Sequence, residues 1–126
     1  TMEEGVFMKC LIVDDDFEIR ELLKEVLVNS GNIVVTAMDG IDGYEAWKRD
    51  IFDLAIIDVD MPRRNGIDLT RDIKEAMNDF PVILITAYAH LYNASEILLL
   101  GVEAFLKKPI DLESLLEAVE RIKSNS

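Results

Sequence analysis

Two adjacent carboxylates at Asp14-Asp15, a third at Asp58, a hydroxyl at Thr86 and an ammonium at Lys108 each stand at the end of an apolar run. These are the side chains that phosphoryl chemistry uses. A carboxylate can attack phosphorus to give an aspartyl phosphate, provided that a cation offsets the repulsion between the two anions. Neighbouring acids repel one another, and a hard divalent cation between them relieves that repulsion. A hydroxyl can hydrogen-bond a phosphoryl oxygen, and a lysine pairs with phosphate as a point charge. Each residue also has a plainer role. One acid of the Asp14-Asp15-Asp16 run would cap a helix, with Asp15 and Glu18 at the right spacing. Asp58 could be a turn former ahead of Pro62 and Gly66, Thr86 a β-branched strand residue, and Lys108 solvated charge. Their shared position at strand ends favours chemistry, because open α/β sheets bind ligands at the carboxyl edge of their parallel strands.

The elements that would position these residues follow from periodicity. Apolar runs rich in β-branched residues at 7–13, 33–38, 54–57, 82–85 and 102–106 have strand length. Between them apolar residues recur at helical spacing. These are Phe17, Leu22, Leu23, Val26 and Leu27 before Gly31; Tyr44, Trp47 and Ile51; Leu69, Ile73 and Met77; and 94–100 before Gly101. A terminal amphipathic helix reads from Leu112, Leu115, Leu116, Val119 and Ile122. Five strands alternating with five helices predict a doubly wound α/β fold with helices on both faces, because parallel strands need crossovers of one hand.

At 126 residues the chain fits one domain, assigned to residues 6–124. A net charge of −12 argues against nucleic acid contact by this segment and fits an acidic surface, a carboxylate cluster awaiting a cation, or both. Cys10 lies inside an apolar run and reads as a small buried hydrophobe rather than a reactive thiol. No stretch approaches the ~20 apolar residues of a membrane span and none has the build of a signal peptide, so the expected location is cytoplasmic, without membrane contact.

Four motifs carry a family resemblance: Asp14-Asp15; Asp58-Val59-Asp60-Met61-Pro62 with Gly66; Thr86-Ala87; and Phe105-Leu106-Lys107-Lys108-Pro109. With them the chain resembles the receiver domain of two-component response regulators, over residues 8–122. The resemblance implies the flavodoxin-like strand order 2-1-3-4-5. It makes Asp58 the phosphoacceptor, with Mg²⁺ held by Asp15, Asp58 and the backbone carbonyl of Asp60, and Asp14 beside the ion, partly through water. Lys108, rather than Lys107, becomes the charge-neutralising lysine, ahead of a cis bond to Pro109. The phosphoryl donor it implies is a phosphohistidine on a sensor histidine kinase or phosphotransfer protein. Thr86 and Phe105 become a switch pair that alters the face of helix 4, β5 and helix 5, through which a homodimer could form. The implied class is a signalling domain, not an enzyme beyond its own Mg²⁺-dependent phosphorylation and dephosphorylation, whether it stands alone or belongs to a longer regulator.

Departures from the commonest receiver pattern are Asp16, Asp60 and Tyr88, and the expectation for Asp60 and Tyr88 is control of water access to the acyl phosphate. The run 97–100 wraps about 400° of helix, more than one core-facing stripe can bury, so part of it is expected to face a partner or a second copy. His90 reads as a solvated loop histidine. Two other readings compete. Asp58-Val59-Asp60 also resembles the aspartate pair of haloacid-dehalogenase-type phosphatases, although there the pair follows the first strand. The other is a receiver that docks without accepting phosphate, against which the intact Asp14, Asp15, Asp58, Thr86 and Lys108 speak.

Overall fold

In the computed structural model, which describes residues 7–125, strands and helices alternate along the chain. They are β1 (Lys9–Val13), α1 (Phe17–Asn29), β2 (Ile33–Ala37), α2 (Gly40–Arg49), β3 (Leu54–Asp58), α3 (Gly66–Ala76), β4 (Val82–Thr86), α4 (Ala94–Leu98), β5 (Ala104–Lys107) and α5 (Leu112–Ser124). A short 3-10 turn at Ala89–Leu91 precedes α4. All strand pairings are parallel and the order is β2-β1-β3-β4-β5, as the resemblance implies.

The central strands are apolar throughout because both faces of the sheet are covered. Alternate residues of a strand point to opposite sides, and the core accordingly divides in two. Leu11, Val13, Ala55, Ile57, Val82 and Leu84 pack with Leu69 and Ile73 of α3 and with Ile97 of α4. Cys10, Ile12, Leu54, Ile56, Ile83 and Ile85 pack with Leu23 and Leu27 of α1 and with Leu115, Val119 and Ile122 of α5. Cys10 is fully buried, and burial, followed by the charge of Asp53, pushes its thiol up to about 12. That environment bears out the inert reading.

Several boundaries shift from expectation. Phe7, expected to begin β1, is exposed and lies outside the strand, as does Met38 beyond β2. Ile51 lies beyond the end of α2, because Asp50 closes the helix in an extended conformation and pairs with Lys9, and the Ile51 side chain is left 85% exposed. Phe17 and Leu22, read as part of the buried stripe of α1, are exposed; Leu23 and Leu27 alone are buried in that helix. Met77 closes α3 rather than packing within it. The expected domain start at residue 6 lies outside the described residues.

Candidate functional site

The parallel register brings the predicted site residues to one edge. Val13 lies beside Ile57, Asp58 beside Ile85, and Thr86 beside Lys107, so the residues that end or follow β1, β3, β4 and β5 are neighbours. Asp14 follows β1 directly; its N–H donates to the Ala37 carbonyl at 3.2 Å, and its own carbonyl accepts from Arg20 Nη1 at 2.7 Å. Asp16, not Asp15, caps α1, accepting from the N–H groups of Glu18 and Ile19. The Asp15 carboxylate is thereby left to face the site, and Asp14, Asp15 and Asp58 each offer an oxygen within 4.8 Å of the others.

Asp14 and Asp58 are buried. Burial, reinforced by the charge of Asp14, pushes the Asp58 carboxyl up to about 7 against the opposing pull of Lys108 and the Asp60 N–H. The Lys108 ammonium stands 2.9 Å from Asp14 Oδ2 and 3.6 Å from Asp58 Oδ1. Burial alone would lower the lysine's pKa, but the bond and charge of Asp14, with Asp58, more than offset it and the ammonium is raised. Its backbone N–H donates to the Thr86 carbonyl at 2.8 Å, and the Lys108–Pro109 bond is cis, as expected.

Asp14 Oδ2 is a buried oxygen whose one near partner among the described residues is the Lys108 ammonium at 2.9 Å. With one ammonium near three carboxylates, the cluster is short of positive charge. Its donors are all oxygens, which suits Mg²⁺ and not the softer metals that nitrogen and sulfur ligands select. The site residues therefore fit the ion that the resemblance implies.

The β3–α3 loop is pinned on several sides. Gly66 begins α3 against the backbone of Asp58, where an added Cβ would lie 2.2 Å from the Asp58 carbonyl oxygen. Arg63, at φ 69°, pairs with Asp39, the cap of α2, and Arg64 pairs with Asp72 of α3. The Asp60 N–H approaches Asp58 Oδ1 at 3.4 Å.

The two carboxylate oxygens of Asp60 accept from two hydroxyls, Thr86 Oγ1 at 2.5 Å and Tyr92 Oη at 3.0 Å. Thr86 is buried and also accepts from the Tyr88 N–H at 3.0 Å. The Tyr92 ring meets Phe105 edge to face at 6.3 Å. Tyr88 is half-exposed beside the exposed His90. Sequence reading missed Tyr92 and Arg20. Tyr92 stands in a loop six positions after Thr86, and no periodicity separates a loop tyrosine that bonds a carboxylate from one that faces water.

The sequence profile described as response regulator receiver domain matches residues 10–120. The transcriptional regulatory protein DltR of Streptococcus agalactiae is 31% identical over 112 residues, covering 89% of this chain and 50% of that protein. The chain thus spans half the length of the first curated relatives it matches. Among solved structures, a Francisella response regulator receiver domain superposes with a TM-score of 0.87 at 27% identity, covering 94% of this chain and 98% of that one. The Thermotoga maritima response regulator TrrA, solved with Mg²⁺ and BeF, superposes at 0.83 with 32% identity, covering 90% and 97%.

Proposed function

Because the chain belongs to the response regulator receiver domain family, we propose that it is a phosphoacceptor switch in which Asp58 takes a phosphoryl group from a phosphohistidine of a partner sensor kinase or phosphotransfer protein. The observation that carries this reading is the placing of a buried Asp58, its carboxyl pushed up to about 7, beside both an acid pair and the Lys108 ammonium. A carboxylate so placed is kept from ionising freely until positive charge arrives, which couples its reactivity to a cation.

Asp15, Asp58 and the Asp60 carbonyl would hold Mg²⁺, with Asp14 beside it, and the bound ion supplies the charge that lets two anions approach. Asp58 then presents a carboxylate oxygen to phosphorus; an O–P bond forms as the N–P bond breaks, and the electron pair of the broken bond stays on the partner's imidazole nitrogen. Lys108 faces the same point and offsets charge on the phosphoryl oxygens in the transition state. The product carries about −1.5 to −2 charge on a side chain that alone held at most one. Thr86, at the end of the neighbouring strand, is the hydroxyl that would bond a phosphoryl oxygen, and Phe105 the aromatic that would follow it.

The output face is α4, β5 and α5. Leu98 and Leu99 are exposed there while Ile97 is buried, in keeping with the expectation that one stripe cannot bury the run 97–100. They support a contact with a target or a second copy. The switch unit is taken as residues 6–124, acting in the cytoplasm; no helix among the described residues is long and apolar enough to cross a membrane.

Incubation with a small acyl phosphate, followed by intact mass measurement, tests the reading. A single Mg²⁺-dependent phosphoryl adduct, absent from Asp58→Asn, is expected. No adduct would leave a docking-only receiver, and an adduct that survives in Asp58→Asn would place the acceptor elsewhere.

A further inference from the structure

The Asp60 carboxylate joins two hydroxyls that lie on different elements. Thr86 Oγ1, at the end of β4, donates to Asp60 Oδ2 at 2.5 Å, and Tyr92 Oη, just ahead of α4, donates to Asp60 Oδ1 at 3.0 Å. The Tyr92 ring in turn packs against Phe105 of β5 at an interplanar angle of 85°. A threonine hydroxyl has one proton to donate. While that proton is directed at Asp60, it is not available to a phosphoryl group on Asp58. Hydrogen bonds to an ionised carboxylate are about twice as strong as neutral ones, so the contact is a substantial competitor.

We propose that Asp60 is a latch that holds Thr86 and Tyr92 in the unphosphorylated arrangement, and that Tyr92 transmits its release to Phe105. The inference rests on Asp58 being the phosphoacceptor. Phosphorylation would act on the latch in two ways. A phosphoryl oxygen accepts the Thr86 hydrogen bond in place of Asp60, and the added negative charge repels the Asp60 carboxylate, whose backbone N–H is 3.4 Å from Asp58 Oδ1. Tyr92 then loses the acceptor that fixes its ring on Phe105. Asp60 and Tyr92 are positioning residues: neither side chain needs to touch the phosphoryl group for the latch to set how readily Thr86 closes on it.

Two measurements on the intact chain test this. In the ligand-free protein, side-chain coupling constants of Thr86 are expected to report one rotamer in the wild type and averaging in Asp60→Asn. Beryllofluoride with Mg²⁺ serves as the phosphoryl probe, its affinity read by ¹⁹F NMR. Losing a latch bond is expected to tighten probe binding roughly three- to tenfold in Tyr92→Phe, the conservative variant that removes only the hydroxyl. In a Thr86→Ala background the same Tyr92→Phe change should do nothing, whereas a purely structural effect of Tyr92 would persist. An affinity within about twofold of wild type in both Tyr92→Phe and Asp60→Asn, with Thr86 still in one rotamer, overturns the latch and leaves the acceptor reading intact. Failure of the wild type to bind the probe overturns the acceptor reading and the latch with it.

Discussion

As the proposed phosphoacceptor, Asp58 would have to be buried enough to exclude water from a phosphoryl group and yet ionised enough to attack phosphorus. In the metal-free protein the first demand dominates. Its folded pKa of about 7 lies above the ~3.9 of a free carboxyl, so the native state binds this proton more tightly than the unfolded chain does. The stabilisation that results is fully present below pH ~4 and is lost as pH rises through 7. In EDTA, urea unfolding is therefore expected to show stability falling by on the order of 1 kcal/mol between pH 6 and 8. Asp58→Asn should remove that dependence and exceed the wild type in stability at pH 8. A wild-type curve parallel to that of Asp58→Asn across this range would mean that the carboxyl is not held up as described.

The placing of α3 depends on a position without a side chain. A Cβ on Gly66 would come within 2.2 Å of the Asp58 carbonyl oxygen and 2.8 Å of Ile57 Cγ2, with backbone on one side and a buried strand residue on the other. Neither can yield as a flexible side chain does. Gly66→Ala is expected to cost about 1–3 kcal/mol in urea unfolding and to lower phosphorylation by acyl phosphate in the fraction that folds, since the strain falls on the residue that presents Asp58. Normal stability and normal phosphorylation together would show that the loop can shift without consequence. The strands and helices were legible in the sequence because burial leaves a pattern: β3 and β4 are apolar up to their closing Asp58 and Thr86 and are buried on both faces. The acids, hydroxyl and lysine could be assigned to one edge because parallel topology leaves no other place for them. What was not legible depended on local competition. Asp15 and Asp16 are equivalent as letters, and only the observed turn decides which caps α1 and which faces the site. Ile51 and Phe17 match a helical spacing, but one lies past a helix end and the other opens α1 with its ring exposed beside Arg20.

Across the whole molecule, a net charge of −12 on 126 residues means that folding gathers like charge. Self-repulsion of this kind weakens the compact state and is screened by salt. Melting temperature is expected to rise as NaCl increases from 0.05 to 0.5 M, and a fall would show that the observed ion pairs, such as Arg64–Asp72 and Arg63–Asp39, outweigh the general repulsion. The division of the core has a different consequence. Side chains from one strand go alternately to two packed layers, Leu11 and Val13 to one and Cys10 and Ile12 to the other, with the sheet between them. The sheet thus acts as a partition, and damage on one side is not compounded by damage on the other. Leu27→Ala and Ile73→Ala, one in each layer, should together destabilise by the sum of their separate effects to within about 0.5 kcal/mol in urea unfolding. The two halves of the molecule can then accumulate substitutions as independent ledgers, each tolerant of change up to its own limit.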